Sequence, residues 1–86
     1  MGYKLHVFNN GHGKIDFLAQ KDNLKYYIQV AYSVADDKAY QREFRAFENV
    51  DPLSQKILIT TDELDYSTSV VRHIRFRDFL TMRSLE

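Results

Sequence analysis

The feature that most constrains the fold is a change in the spacing of the apolar residues near the middle of the chain. Up to Tyr32, apolar residues alternate with polar ones or form dense β-branched and aromatic runs, as in β-strands. From Tyr40 to Val50 the spacing becomes four, three and three, as on one face of a helix. Strand-like runs then return at 56–61 and 70–76. The chain is therefore predicted to be an α/β domain with a mixed β-sheet of about five strands and one main amphipathic helix.

Turn-forming and capping residues place the boundaries of these elements. The first three strands are predicted at 3–8, 15–20 and 24–32, separated by turns at 9–13 and 21–23, with the third strand central. Asp36 or Asp37 is expected to cap the helix, and Pro52 lies beyond its end. The strand-helix-strand unit implies a right-handed crossover. Asp78 is expected to cap a short terminal helix that carries Phe79, Leu80 and Met82.

Size and composition narrow the class of protein. Residues 1–86 support a single core, so one domain is expected, and Leu85-Glu86 is read as a vector-derived linker. The absence of cysteine excludes disulfides, thiolate metal sites and cysteine nucleophiles. With 12 basic and 12 acidic residues, the overall charge does not indicate a strongly basic nucleic-acid binder. No apolar run approaches the roughly 20 residues that cross a bilayer, so a cytoplasmic protein without membrane contact is expected.

The candidate site lies where two strands joined by a turn bring Asp16 beside Gln29 and Ala31, which share one face of a strand. This layout resembles the PD-(D/E)xK nucleases, whose restriction-endonuclease-like fold binds magnesium through an Asp on one strand and a Glu-x-Lys on the next. Gln29 stands at the Glu position and Ala31 at the Lys position, so two of the three positions lack the charge that the chemistry needs. The resemblance therefore implies a degenerate site without catalysis or cofactor, with Asp16 as a weak candidate metal ligand.

Five short runs extend the resemblance over most of the chain. Their order and spacing are similar to the C-terminal domain, of unknown function, of a prokaryotic family of AAA+ ATPases. The runs are Ile15-Asp16-Phe17, Tyr27-Ile28-Gln29-Val30, Gln41-Arg42-Glu43-Phe44, His73-Ile74 and Asp78-Phe79-Leu80. The resemblance implies a fragment of a larger ATPase whose partner is the ATPase part of the same protein. No phosphate-binding loop occurs in this chain, so it cannot bind ATP by that route.

The resemblance also implies an interaction surface. The similar domains have a helix before their first strand, whereas this chain begins almost at the strand, so the restriction-endonuclease-like core is expected to lack its first helix. Apolar residues of the sheet would then face water, which usually marks a contact surface. We expect a homodimer or another association through the sheet or its edge.

Two groups of basic residues are candidates for nucleic-acid binding. Lys38, Arg42 and Arg45 recur at helical spacing, whereas Arg72, Arg75 and Arg77 lie near the end, with Arg75 and Arg77 on one face of the last predicted strand. A solvated helix face and a charged edge strand explain the two groups without a ligand, and this explanation is preferred for both. His6, His12 and His73 lack the spacing of a zinc site.

Three functions are therefore carried forward. The first is a non-catalytic accessory domain that docks to other molecules. The second is a metal-dependent DNA nuclease that uses magnesium at a rebuilt site including Asp16. The third is sequence-independent nucleic-acid binding without cleavage, carried by the basic residues.

Overall fold

A computed structural model describes residues 2–7, 15–48 and 50–82, which form a single five-stranded sheet. The strands lie side by side in chain order: β1 (Lys4–Val7), β2 (Phe17–Lys21), β3 (Leu24–Val30), β4 (Gln55–Thr60) and β5 (Arg72–Arg75). The pairs β1–β2 and β2–β3 are antiparallel, and the pairs β3–β4 and β4–β5 are parallel. The predicted α/β class and mixed sheet are confirmed, and β3 is the central strand as expected.

A tight turn fixes the register of β2 against β3. Lys21 pairs with Leu24 across the hairpin, and between them Asp22 has a φ of 55°. Aspartate tolerates this left-handed conformation better than most residues, which explains its place in the turn. The turn predicted at 21–23 is confirmed, whereas the turn predicted at 9–13 lies outside the described residues.

Helix α1 (Asp37–Arg45) connects β3 to β4 and is shorter than predicted. Asp36 caps it, accepting a hydrogen bond from the Lys38 N–H at 3.1 Å. Beyond Arg45 the helical spacing continues in tight turns, where the Phe47 N–H donates to the Phe44 carbonyl at 3.1 Å. Such three-residue turns also bring successive apolar residues to one side, so the helix-like spacing of apolar residues continues beyond the end of the helix.

Apolar residues are buried on both faces of the sheet. Helix α1 covers one face, where Phe44 and Phe47 pack with Leu58 and Val71. On the opposite face lie buried sheet residues, with Tyr3, Phe79 and Met82 packed against them: Ala19, Tyr26, Ile28, Ile57, Ile59 and Ile74. None of these six is more than 5% exposed. The expectation that this face would be open to water is therefore wrong for β2 to β5, because the end of the chain folds back over it.

The last strand and the last helix differ from the prediction. Strand β5 ends at Arg75, which is the N-cap residue of helix α2 (Phe76–Phe79). Asp78 is not the cap, since it lies inside α2 and accepts a hydrogen bond from Arg75 Nε at 2.8 Å. Arg77 also lies in α2, so Arg75 and Arg77 do not share a strand face. No helix among the described residues has the length and apolarity needed to cross a membrane.

The two outer strands of the sheet have different surroundings. The loop before β5 covers its outer edge, where the His73 N–H donates to Ser67 Oγ at 2.9 Å. The same loop is held by the Thr68 N–H, which donates to the Val71 carbonyl at 2.8 Å. Strand β1, at the other end of the sheet, is exposed along its whole length. One edge is thus occupied by the chain itself, whereas no other described strand pairs with the outer side of β1.

Candidate functional site

The structure places Asp16 and Gln29 in direct contact. Asp16 lies immediately before β2, and its N–H donates to Gln29 Oε1 at 2.5 Å. In return, the Val30 N–H of β3 donates to Asp16 Oδ2 at 3.0 Å. Two hydrogen bonds therefore fix the start of β2 to the end of β3. The juxtaposition that the sequence predicted is present, although Asp16 precedes the strand.

A third residue, Glu43, completes this cluster. Gln29 Nε2 donates to Glu43 Oε1 at 3.1 Å, and both side chains are buried. The other carboxylate oxygen of Glu43 accepts a hydrogen bond from Arg42 Nε at 3.0 Å. We refer to Asp16, Gln29 and Glu43 as the Gln29 bridge. The amide of Gln29 thereby links both neighbouring elements, the start of β2 and helix α1, to β3.

Glu43 was not recognised as a site residue from the sequence. Its position nevertheless carries a signal, because it lies three residues after Tyr40 and four before Phe47 and so falls within the apolar stripe of α1. A carboxylate on the buried face of a helix has to find a partner, since an unpaired buried charge is costly. Gln29 and Arg42 are those partners.

The donor set of the Gln29 bridge does not fit magnesium. The Gln29 oxygen is engaged by the Asp16 N–H, and its NH₂ group faces Glu43, so the amide presents a donor where a cation would need an acceptor. Ala31 is half-buried and packs in the apolar cluster under α1. Within the described residues, no group of three or more His, Cys, Asp or Glu side chains is arranged to hold a metal ion.

A second polar cluster lies at the carboxyl ends of β3 and β4. Asp62 accepts hydrogen bonds from Ser33 Oγ at 2.6 Å, from the Val34 N–H at 2.8 Å and from Thr60 Oγ1 at 3.1 Å. Burial raises the pKa of the Asp62 carboxyl, but these hydrogen bonds outweigh it, so the pKa lies below the ordinary value of 3.8. The carboxylate is therefore held ionised as an acceptor between two parallel strands.

His73 extends this cluster onto β5. The Tyr66 N–H donates to His73 Nδ1 at 3.1 Å, so the neutral ring carries its proton on Nε2. Nε2 lies 2.7 Å from Thr60 Oγ1 and donates to it, and the Thr60 hydroxyl in turn donates to Asp62. His73 cannot act as a base toward Thr60 in this tautomer, and the Thr60 side chain is inaccessible. The cluster is arranged to hold three parallel strands together.

The predicted nucleic-acid-binding residues do not form one surface. Arg75 Nη1 and Arg77 Nη2 both contact Glu63 Oε2, at 3.2 Å and 2.9 Å. Contacts with Asp78 and Glu63 raise the pKa of Arg75. Arg72 and Arg75 line a cavity of about 450 Å³ whose wall also holds Glu63, Asp65 and Asp78. Lys38, Arg42 and Arg45 lie apart from these residues on α1, where Arg42 contacts Glu43.

Comparison of the chain with protein-family models, curated proteins and solved structures gave no match. The function is therefore inferred from the two polar clusters and from the exposed surface of the domain.

Proposed function

We propose that this domain is a non-catalytic interaction module in which the Gln29 bridge serves as a structural cross-link. The observation that carries the proposal is that both polar atoms of the Gln29 amide are bonded within the protein, to the Asp16 N–H and to Glu43. The proposal retains the resemblance to a restriction-endonuclease-like domain at the end of an AAA+ ATPase. Its role in such a protein would be docking, to the ATPase part or to another molecule.

The chemistry of phosphodiester cleavage supports this proposal. Hydrolysis needs a group that activates water and positive charge that stabilises the developing phosphorane, a term commonly worth about 3–4 kcal/mol per donor. Ala31 provides a methyl group at the position where the resemblance would require an ammonium. Gln29 adds no negative charge beside Asp16, and its NH₂ group already donates a hydrogen bond to the Glu43 carboxylate.

A nuclease assay tests the proposal directly. Supercoiled plasmid DNA incubated with the protein and Mg²⁺ or Mn²⁺ should remain uncut. The matched variants are Asp16→Ala, within the Gln29 bridge, and Asp22→Asn, an aspartate in the β2–β3 turn outside it. Metal-dependent cutting that is lost in Asp16→Ala and kept in Asp22→Asn would overturn the proposal.

The second candidate function is a nuclease with a rebuilt site. Glu43 favours it, because this residue brings a second carboxylate to the cluster that already contains Asp16. Such a site would require Gln29 to swing away so that Asp16 and Glu43 could both face a metal ion. Cutting in the plasmid assay that is also lost in Glu43→Gln would support this candidate over the first.

We also propose that two copies associate through β1. Leu5 and Val7 on this strand are 60% and 68% exposed, and they project on the same face as the residues opposite them, the buried Ala19 and the partly buried Phe17. Pairing of two β1 strands would extend the sheet and cover these side chains. Light scattering should show a dimer whose dissociation is promoted by Leu5→Lys, and a monomer at high concentration would refute the association.

A further inference from the structure

Three lysines project from the open end of the sheet, and we infer that they bind the phosphodiester backbone of a nucleic acid. Lys4 lies on β1, Lys21 at the end of β2 and Lys25 at the start of β3. We refer to these residues as the lysine edge. The lysine edge does not include the arginines near the end of the chain. Binding at the lysine edge does not depend on whether the Gln29 bridge holds a metal ion.

The strand register aligns two of the lysines across the sheet. Lys4 pairs with Gln20, and Gln20 pairs with Lys25, so these three side chains stand in one row on one face, whereas Lys21, one residue after Gln20, projects to the other face at the same end of the sheet. Adjacent strands are about 4.8 Å apart, which places the Cα atoms of Lys4 and Lys25 about 10 Å from each other. Gln20 adds an uncharged hydrogen-bonding group between the two cations.

A shallow cavity joins Lys21 to this row. Its volume is about 580 Å³, and its wall is formed by Gly2, Lys4, His6, Gln20, Lys21 and Asp22. Lys21 lies over the ring of Tyr3, with Nζ 5.4 Å from the ring centroid, which holds its long side chain at this end of the sheet. Asp22 is the one carboxylate of the cavity wall, so the wall carries an excess of positive charge.

The charges of the lysine edge are available to a ligand. Within the described parts of the chain, none of the three lysines forms an ion pair with a carboxylate. Arg75 and Arg77, by contrast, share Glu63. A phosphate that approaches the lysines displaces water and mobile counterions without breaking any ion pair found among the described residues, and this release of counterions is the usual origin of sequence-independent binding.

The distribution of apolar residues favours a nucleic acid over a membrane surface. Leu5 and Val7 alternate with Lys4 and His6 along β1 and so project to the other face of the sheet. On the face of Lys4 and Lys25, β1 therefore has no exposed apolar side chain that could enter a lipid layer beside these two cations. An extended polyanion can contact the row while remaining fully solvated.

Fluorescence anisotropy with a labelled 20-base-pair DNA duplex in EDTA tests the inference. Three phosphate contacts predict a slope of log K against log salt of about −2.7 and a loss of affinity of about 40-fold between 50 and 200 mM salt. Each of Lys4→Gln, Lys21→Gln and Lys25→Gln should reduce the slope by about 1. The matched control is the double variant Arg75→Gln/Arg77→Gln, which should keep the full slope.

Two results would overturn the inference. The first is an unchanged affinity in the triple lysine variant, provided that its circular dichroism spectrum matches that of the parent protein. The second is tighter binding to vesicles of phosphatidylglycerol and phosphatidylcholine than to the duplex at equal concentration of phosphate. Because the assay contains EDTA, its outcome is separate from that of the plasmid assay, and either proposal can fail alone.

Discussion

Replacement of Gln29 by leucine provides the sharpest test of the structural role of the Gln29 bridge. Leucine has a similar volume but cannot accept from the Asp16 N–H or donate to Glu43, so both hydrogen bonds of the amide are lost. A hydrogen bond to a charged group contributes about 1.5–3 kcal/mol, and an unsatisfied buried donor costs about 1–3 kcal/mol. We expect the free energy of unfolding to fall by about 2–4 kcal/mol.

This loss is large for a domain of this size. With 86 residues, the total free energy of unfolding is about 4–13 kcal/mol. A loss of about 3 kcal/mol should lower Tm by about 12–24 °C, because each kcal/mol shifts Tm by about 4–8 °C in domains of 60–100 residues. Urea denaturation followed by far-UV circular dichroism measures the change, with Gln20→Leu on β2 as a control for replacing a partly exposed strand glutamine.

The double variant Gln29→Leu/Glu43→Leu completes the test. Removing both partners leaves no buried carboxylate without its donor, so this variant should be more stable than the sum of the single changes predicts. A coupling energy of about 1–3 kcal/mol is expected. A loss below about 0.5 kcal/mol in Gln29→Leu, or strict additivity in the double variant, would refute the reasoning.

Three further predictions concern the two polar clusters. Asp62→Asn should destabilise the domain at pH 7. The difference in stability from the parent protein should shrink as the pH falls below 3.8 and through the lower pKa of the folded state, because the stabilisation from a depressed carboxyl pKa is lost there. Urea titrations at pH 7 and pH 3 measure this difference. Thr60→Val should cost about 1–3 kcal/mol in the same titration, because it removes the hydroxyl between His73 and Asp62, and an unchanged midpoint would contradict the structural role assigned to this hydroxyl. Gln29→Glu should be destabilised by repulsion from Glu43, and Mn²⁺ should raise its Tm but not that of the parent protein; equal shifts in both would show that the amide does not block metal binding.

The periodic parts of the fold were predictable from the sequence. The dense β-branched and aromatic run at 24–30 identified the central strand, and Asp36 was a recognisable helix cap. The helix end was overestimated because tight turns after Arg45 preserve the helical spacing of Phe47 and Val50. The start of α2 was misplaced because Arg75, its N-cap residue, makes no side-chain capping hydrogen bond and so leaves no local signal.

The candidate site was predictable only in part. Asp16 and Gln29 were predicted to lie side by side because the turn at 21–23 joins their two strands in a hairpin, and this turn is visible in the sequence. The bond between Ser33 and Asp62 joins residues 29 positions apart, and no local pattern encodes it. The lysine edge was missed for the same reason, since Lys4 and Lys25 come to lie in one row only through the register of β1, β2 and β3.

The unequal edges of the sheet limit how the domain can assemble. Because the loop around Ser67 occupies the outer side of β5, β1 is, among the described strands, the outer one at which a neighbouring chain could add its own strand. If two copies meet at β1 by two-fold symmetry, the outer edges of both β1 strands pair with each other, and the covered β5 edge of each copy faces outward. In the proposed dimer, strand addition at β1 would therefore end with two molecules.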